Sequence, residues 1–310
     1  MQKVLVAGGT GFVGTNLCKA LLKKKYFVYC LDNNVTGDIN NIDQFKKNKN
    51  FQYINHDINN FINIDTDIIF NLASPASPQQ YQIDPVFTIT TNFNGTLNLL
   101  KLSKLNNSTF LQASTSEIYG DPLEHPQKED YWGNVNPIGL RSCYDEGKRS
   151  AETLCFDFIR QFNVNAKIVR IFNTYGPYLK KGDGRVVSNF IYQSLNNYNI
   201  TIFGKGHQTR SFCYIDDLID GILKTIKTSK KFHGPVNLGN PKEISINQLA
   251  KTIIKLTGSK SKLIYKNLPE DDPERRKPNI NLAKKILKWH PITDLNTGLR
   301  KTINYFKTIT

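Results

Sequence analysis

The stretch VLVAGGTGFVG, residues 4–14, constrains this chain more than any other. A β-branched run leads into Gly8, Gly11 and Gly14, each three residues from the next. Residues 12–24 then carry Phe12, Val13, Leu17, Leu21 and Leu22 at helical spacing. A strand that passes through a glycine-rich turn into a helix is the first unit of a parallel, helix-covered sheet. Glycines let that turn close tightly and approach a pyrophosphate, which rests on the helix N-terminus. A glycine triplet alone is a weak signal, and a glycine-rich turn with a capping Asp is the alternative; its place at the head of an alternating chain gives it weight. Asp32 ends the next strand, VYCLDN, about twenty residues on. A carboxylate there accepts hydrogen bonds from a ribose diol and repels a 2′-phosphate, which favours NAD over NADP. Asp57, at the end of the following strand, is placed to reach the adenine or to close a turn.

The alternation continues. FVYCLD, TDIIFNLAS, TFLQAS and AKIVRIF read as strands. Between them lie helices at 86–105, with Val86, Ile89, Phe93, Leu97 and Leu100 as apolar positions, and at 144–162. This rhythm predicts an α/β fold with a Rossmann-type doubly wound parallel sheet. Beyond about residue 175 it loosens into short strands (ITIFG, PVNLG) and helices near 186–197, 216–228, 245–257 and 294–306. The expected division is an NAD-binding domain over 1–175 and a smaller α/β lobe, mainly substrate-binding, over 176–310, with the chain crossing between them.

Composition narrows the classes. No apolar run approaches the roughly 18–20 residues of a membrane helix. The first strand begins at residue 3, leaving no room for a targeting segment, so a soluble, cytoplasmic protein with no membrane partner is expected. Five cysteines form no C-x-x-C pair and five histidines are scattered, so no metal site and no disulfide framework is indicated. The net charge of +15 would suit nucleic acid. The lysines, however, fall in short scattered runs (LKKKY, FKKNKN, TSKK) without interleaved aromatics, so a solvated basic surface that attracts anionic substrates is the reading.

Tyr144 and Lys148, four apart in SCYDEGKR, share one helix face. An ammonium beside a phenol of pKa ~10 stabilises the phenolate. The phenol then serves as the base that takes an alcohol proton as hydride leaves, while Lys148 can hold the nicotinamide ribose. Ser114 and Thr115 end the strand that would face this pair.

With these residues in place the chain resembles, over nearly its whole length, the extended short-chain dehydrogenase/reductase family of nucleotide-sugar epimerases, dehydratases and decarboxylases. The 4,6-dehydratases carry Asp-Glu after the Thr that assists the Tyr. This chain has Thr115, Ser116 and Glu117. That TSE pattern, with NLASPASP, HPQKEDYWGNVNPIG, RIFNTYGP, DGRVVSNFI and DDPERRKPNI, is similar to the UDP-glucuronate decarboxylases. The resemblance implies NAD-dependent conversion of UDP-glucuronate to UDP-xylose through a 4-keto sugar, with the cofactor recycled in place. It implies Thr115, Tyr144, Lys148, Glu117 and Arg276 as catalytic residues. Whether Glu117 or Arg276 delivers the C5 proton stays open. The implied cofactor contacts add Phe12, Val13, Asn33, Thr36, Gly37, Ile58, Leu72, Ala73 and Thr91 to the glycines, Asp32, Asp57, Tyr144 and Lys148. The implied substrate contacts are Ser74, Pro75, Ser116, Glu117, Arg141, Asn173, Arg185, Arg210 and Arg276. A homodimer through the helices near 86–105 and 144–162 is also implied. There are departures. Thr90 stands where the family often has Lys, and the N-terminal membrane anchor of many relatives is not expected here. A nucleotide-sugar 4,6-dehydratase or 4-epimerase, or a non-catalytic nucleotide-binding protein, is the alternative.

Overall fold

Apolar side chains alternate between two cores along the first strand, and this sets the layers. The computed structural model describes residues 1–182, 184–267 and 275–309. In β1 (Lys3–Ala7), Val4 and Val6 pack with Leu17 and Leu21 on one face, while Leu5 and Ala7 pack with Leu100 and Phe158 on the other; all four strand residues are fully buried. A strand buried on both faces must be continuously apolar, as a parallel sheet between two helical layers demands.

The other central strands are β2 (Phe27–Asp32), β3 (Phe51–Asn55), β4 (Ile68–Asn71), β5 (Thr109–Thr115) and β6 (Ala166–Ile171). With Val236–Leu238 they form a parallel sheet in the order 236–238, β6, β5, β4, β1, β2, β3. The chain runs outward from β1 to β3, then returns to β4 on the other side. The carboxyl ends of β1 and β4, where Ala7 pairs Asn71, therefore open a crevice at the reversal point. The strand at 236–238 shows that the chain rejoins this sheet well beyond residue 175.

Five helices frame the sheet and the site: α1 (Phe12–Lys23), α2 (Pro78–Tyr81), α3 (Pro85–Thr90), α4 (Thr96–Asn106) and α5 (Ser142–Phe162). The helix expected over 86–105 is α3 and α4 joined by a π-helical turn, Thr91–Gly95. The extra residue of such a turn rotates the apolar stripe by about 100°. Upstream of the turn Val86 and Ile89 are exposed, as is Phe93 within it, while Leu99 and Leu100 downstream are buried.

After β6 the chain builds helices at Val186–Leu195, Ile215–Ile226, Ile246–Thr257 and Leu295–Ile309. A small sheet pairs Thr209–Ser211 antiparallel to Glu243–Ser245 and parallel to Arg275–Arg276, in a register that sets Arg276 beside Arg210. The start of the DDPERRKPNI segment, 271–274, lies outside the described residues, as does Asp183 of DGRVV. Among the described residues all five cysteines are free and buried, no cluster of three or more potential metal ligands occurs, and no helix is long and apolar enough to cross a membrane.

Candidate active site

The turn after β1 is shaped by what it must avoid. Gly8 has φ +80°, and a Cβ there would come within 2.8 Å of the Ala73 nitrogen on the neighbouring strand end. A Cβ on Gly14 would lie 2.0 Å from the Gly8 carbonyl. Gly14 therefore acts by letting α1 press against the turn. It is not among the residues that line the two cavities described below. Gly8 and Gly11 wall a cavity whose far side is made by Asp32, Asn33, Thr36 and Gly37. Asp57, Ile58, Leu72, Ala73 and Thr91 complete it. Asp32 is held rigidly: one carboxylate oxygen accepts the Thr10 N–H at 3.0 Å and the other the Asn34 N–H at 2.9 Å. Asn59 donates to Asp57 at 3.0 Å and to the Thr91 hydroxyl at 3.1 Å, which ties the π turn to this cavity. The glycine cradle and the buried Asp32 fit a dinucleotide. His56 also lines the cavity and had no signal in the sequence.

A larger cleft of about 680 Å³ adjoins it, within the range of ligand sites. Thr115, Ser116, Glu117, Tyr144 and Lys148 lie on its sheet side. Arg141, Asn173, Arg185, Arg210 and Arg276 also face it. Two expectations change. Phe12 and Val13 line this cleft rather than the glycine-walled cavity, because α1 starts where the two spaces meet. Pro75, expected at the substrate, lines the glycine-walled cavity instead; Ser74 lines both, since the loop after β4 folds back over Gly8.

Tyr144 sits near the start of α5, 6% exposed, stacked on Tyr81 of α2 at 5.2 Å between ring centroids. The buried Tyr81 hydroxyl has no hydrogen-bond partner. Burial pushes the Tyr144 phenol up to about 12, and a hydrogen bond with the Thr115 side chain works the other way. Burial brings Lys148 down to about 8. Its ammonium donates to the Ala113 carbonyl at 3.0 Å and lies 5.8 Å from the Tyr144 ring centroid. The expectation was that Lys148 draws the phenol toward neutrality; among the protein's own groups burial is the largest influence, and it raises the phenol.

Glu117 follows directly from the end of β5. Thr115 closes the strand and caps the short 3₁₀ turn Ser116–Tyr119, its hydroxyl accepting the Glu117 N–H at 3.2 Å. One Glu117 oxygen accepts from Arg276 and the other from Arg141, the residue that opens α5. Burial alone would raise the Glu117 carboxyl, but the Arg276 and Arg141 guanidiniums overrule it and hold it at about 2. Glu117 is therefore a fixed carboxylate. Arg141 and Arg276, both expected on the substrate, are here bound to a protein carboxylate, so a second anion entering the cleft must share them.

Remote residues keep this cluster in register. Gln127, fully buried, donates from its side chain to the Glu124 carbonyl at 2.7 Å and accepts the Lys277 N–H at 2.8 Å. Its backbone pairs with Lys277 at 2.9 Å and Asn279 at 2.8 Å. Gln127 thus straps the Arg276 segment to the loop that leaves Glu117. Beneath β5, Glu152 accepts from Ser114 and from Arg170 at 3.0 and 2.9 Å, and Arg170 reaches the Tyr119 hydroxyl at 2.9 Å.

The chain is matched over residues 4–239 by the model of the NAD dependent epimerase/dehydratase family. It is 47% identical to UDP-glucuronic acid decarboxylase 1 of Xenopus tropicalis over 306 residues, 99% of this chain and 72% of that protein. It is 48% identical to UDP-glucuronic acid decarboxylase 3 of Arabidopsis thaliana over 300 residues, 96% of this chain and 87% of that one. Among solved structures, UDP-glucuronic acid 4-epimerase of Bacillus cereus, in complex with UDP-glucuronic acid and NAD, superposes with a TM-score of 0.88 at 30% identity, covering 99% of this chain and 100% of that one.

Proposed function

The chain belongs to the NAD dependent epimerase/dehydratase family, and we propose that it decarboxylates UDP-glucuronate to UDP-xylose, with NAD retained in the site. The observation that carries this reading is the half-buried Glu117 carboxylate held between Arg141 and Arg276 in the cleft that also holds Tyr144 and Lys148. A 4-epimerase needs to move hydride on and off C4; a decarboxylase must also manage a carboxylate and a proton at C5.

NAD, when bound, supplies the hydride acceptor for C4 and gives the hydride back to the ketone. Tyr144 takes the proton of the C4 hydroxyl, assisted by Thr115, and returns it when the ketone is reduced. Lys148 stays cationic at neutral pH beside the phenol and holds the nicotinamide ribose. The 4-ketone lies β to the C5 carboxylate, so the pair released as CO₂ leaves is delocalised into an enolate. Arg141 and Arg276 supply the cationic donors that bind and orient the sugar carboxylate, sharing it with Glu117. Arg185, Arg210 and Asn173 are positioned for the diphosphate and ribose, and Ser116 for the sugar. Ser116 also occupies the place of the acid a dehydratase requires.

Residues 1–175 then hold the cofactor and most of 176–310 shapes the substrate side. The exposed Val86, Ile89 and Phe93, with Phe162 at the end of α5, form the apolar faces through which a homodimer would pack. Five free thiols suit a reducing, cytoplasmic setting, without nucleic-acid or membrane partners.

Purified protein incubated with carboxyl-labelled UDP-glucuronate tests the reading. Labelled CO₂ together with UDP-xylose is expected. UDP-galacturonate without CO₂ would make it an epimerase, and no turnover would leave a nucleotide-binding protein.

A further inference from the structure

Two tyrosines stand side by side on the cleft, and they are equipped differently. Tyr144 has a hydrogen bond with the Thr115 side chain, and the Lys148 ammonium lies 5.8 Å from its ring centroid. Tyr81, 1% exposed, has a buried hydroxyl with no hydrogen-bond partner among the described residues. Burial raises the Tyr81 phenol, so it stays neutral and is no rival base. A buried hydroxyl without a partner costs stability. The ring of Tyr81, by contrast, is fully engaged.

It lies 4° from parallel to the Tyr144 ring, with 5.2 Å between the centroids. A parallel pair at that separation is offset, the arrangement that ring quadrupoles favour. With Cys143 the two rings form one buried cluster. The helix that carries Tyr81, α2, has only four residues and cannot hold a side chain still unaided. It is pinned from three sides. The Tyr81 carbonyl accepts from the Thr88 hydroxyl of α3 at 3.2 Å and from the Cys143 thiol of α5 at 3.7 Å. Gln79, two residues earlier, packs against Gly184, where a Cβ would lie 2.8 Å from its side chain. The ring on which Tyr144 rests is therefore itself fixed.

We propose that Tyr81 is a positioning residue for Tyr144, its stacked ring holding the Tyr144 oxygen against Thr115 while its own oxygen takes no part. The inference rests on the reading of Tyr144 as the base and deepens it. A base must sit within hydrogen-bond reach of the proton it takes, and a small displacement is enough to lose the rate. Without the Tyr81 ring, Tyr144 can swing about χ1 into the space left behind. The phenol oxygen, at the far end of the ring, moves furthest in such a swing and leaves Thr115.

The test is turnover of the NAD-loaded protein with carboxyl-labelled UDP-glucuronate, followed at 340 nm and as released CO₂, with NAD affinity read by fluorescence titration. Tyr81→Leu should slow turnover roughly 10–100-fold while KM and NAD affinity stay within about threefold. Deuterium at C4 of the sugar should slow this variant by a larger factor than it slows the parent, because the oxidation step then limits the rate. Tyr81→Phe keeps the ring and drops the idle hydroxyl; it should turn over within about twofold of the parent and melt no lower. In a Tyr144→Phe background, Tyr81→Leu should slow the residual oxidation by less than about threefold, since its effect passes through the Tyr144 oxygen. Equal slowing in both backgrounds would overturn the proposal, as would parental turnover by Tyr81→Leu. A loss in Tyr81→Phe as large as in Tyr81→Leu would hand the role to the hydroxyl and overturn it too. Tyr81→Met, which fills the space with a flexible chain, supplies the same comparison where Tyr81→Leu folds poorly. A parent that neither raises the 340 nm absorbance nor releases CO₂ would instead remove the reading of Tyr144 as the base, and the proposal with it.

Discussion

Arg276 donates to the Glu117 carboxylate across 159 positions of sequence, and its other terminal nitrogen donates to the Gly120 carbonyl at 2.9 Å. A guanidinium from the short strand Arg275–Arg276 thereby joins Arg141 in holding the charge and the direction of an acid at the end of β5. In the proposed reaction the decarboxylation half relies on this contact, whereas the oxidation half relies on Tyr144, Lys148 and the glycine turn.

Replacing Glu117 by Gln separates the two halves. The variant should still oxidise substrate, seen as absorbance at 340 nm, and should release CO₂ at least about 100-fold more slowly than the parent. UDP-xylose formed at the parental rate would leave Glu117 with no chemical role.

The Gln127 strap supports Arg276 from outside the cleft. Gln127→Leu keeps the volume but leaves the Lys277 N–H and the Glu124 carbonyl without their partner. This should cost roughly 1–3 kcal/mol of stability. It should lower kcat for UDP-xylose about tenfold with NAD affinity unchanged, since one misplaced group suffices for a loss of that order. Titration of NAD by fluorescence alongside steady-state rates checks both parts.

The Glu152–Arg170 pair is nearly buried, with side chains 11% and 9% exposed. Removing one partner strands the other's charge, so Glu152→Ala should cost about 3–5 kcal/mol. At roughly 2–4 °C per kcal/mol for a chain of this size class, the melting temperature should drop by about 10 °C. The double variant Glu152→Ala with Arg170→Met should recover much of the loss. An unchanged melting temperature in the single variant would show that the pair contributes nothing.

Much of the central sheet and of the glycine turn was legible because the signals are local. Gly8, Gly11 and Gly14 are neighbours in sequence, Asp32 ends the strand that follows, and Tyr144 and Lys148 lie one helical turn apart. What stayed hidden depends on chain segments meeting from far away. The stack of Tyr81 on Tyr144, the register that sets Arg276 beside Arg210, and the Gln127 strap have no spacing to reveal them. The π turn at Thr91–Gly95 shifts the apolar stripe of its helix, so Val86 and Ile89 read as core positions and prove exposed. The expected fall in the Tyr144 phenol's pKa followed from pairing it with Lys148, but desolvation depends on burial, which a four-residue spacing does not report. Asp145, buried in the first turn of α5, was overlooked because an acid at such a place is ordinarily solvated.

The environment of Asp145 also shapes stability against pH. Burial, then the Glu117 charge, raise its carboxyl to about 7 in the folded chain, above the ~3.9 of an unfolded one. Between those values the folded state holds a proton that the unfolded state has released, so this group's contribution to stability falls as pH rises through that window. Asp145→Asn, which cannot ionise, should melt at the parent's temperature near pH 4 and several degrees above it at pH 8. A variant that melts lower than the parent at pH 8 would contradict a carboxyl raised by burial at this position.

The most direct test of the whole account is the 340 nm trace of one turnover, followed together with labelled CO₂. The account predicts a transient rise on mixing with UDP-glucuronate, release of one CO₂ per site as the absorbance decays, and return to baseline with UDP-xylose as product and no added reductant. A trace that rises and decays without CO₂, or CO₂ released with no transient oxidation, would contradict it.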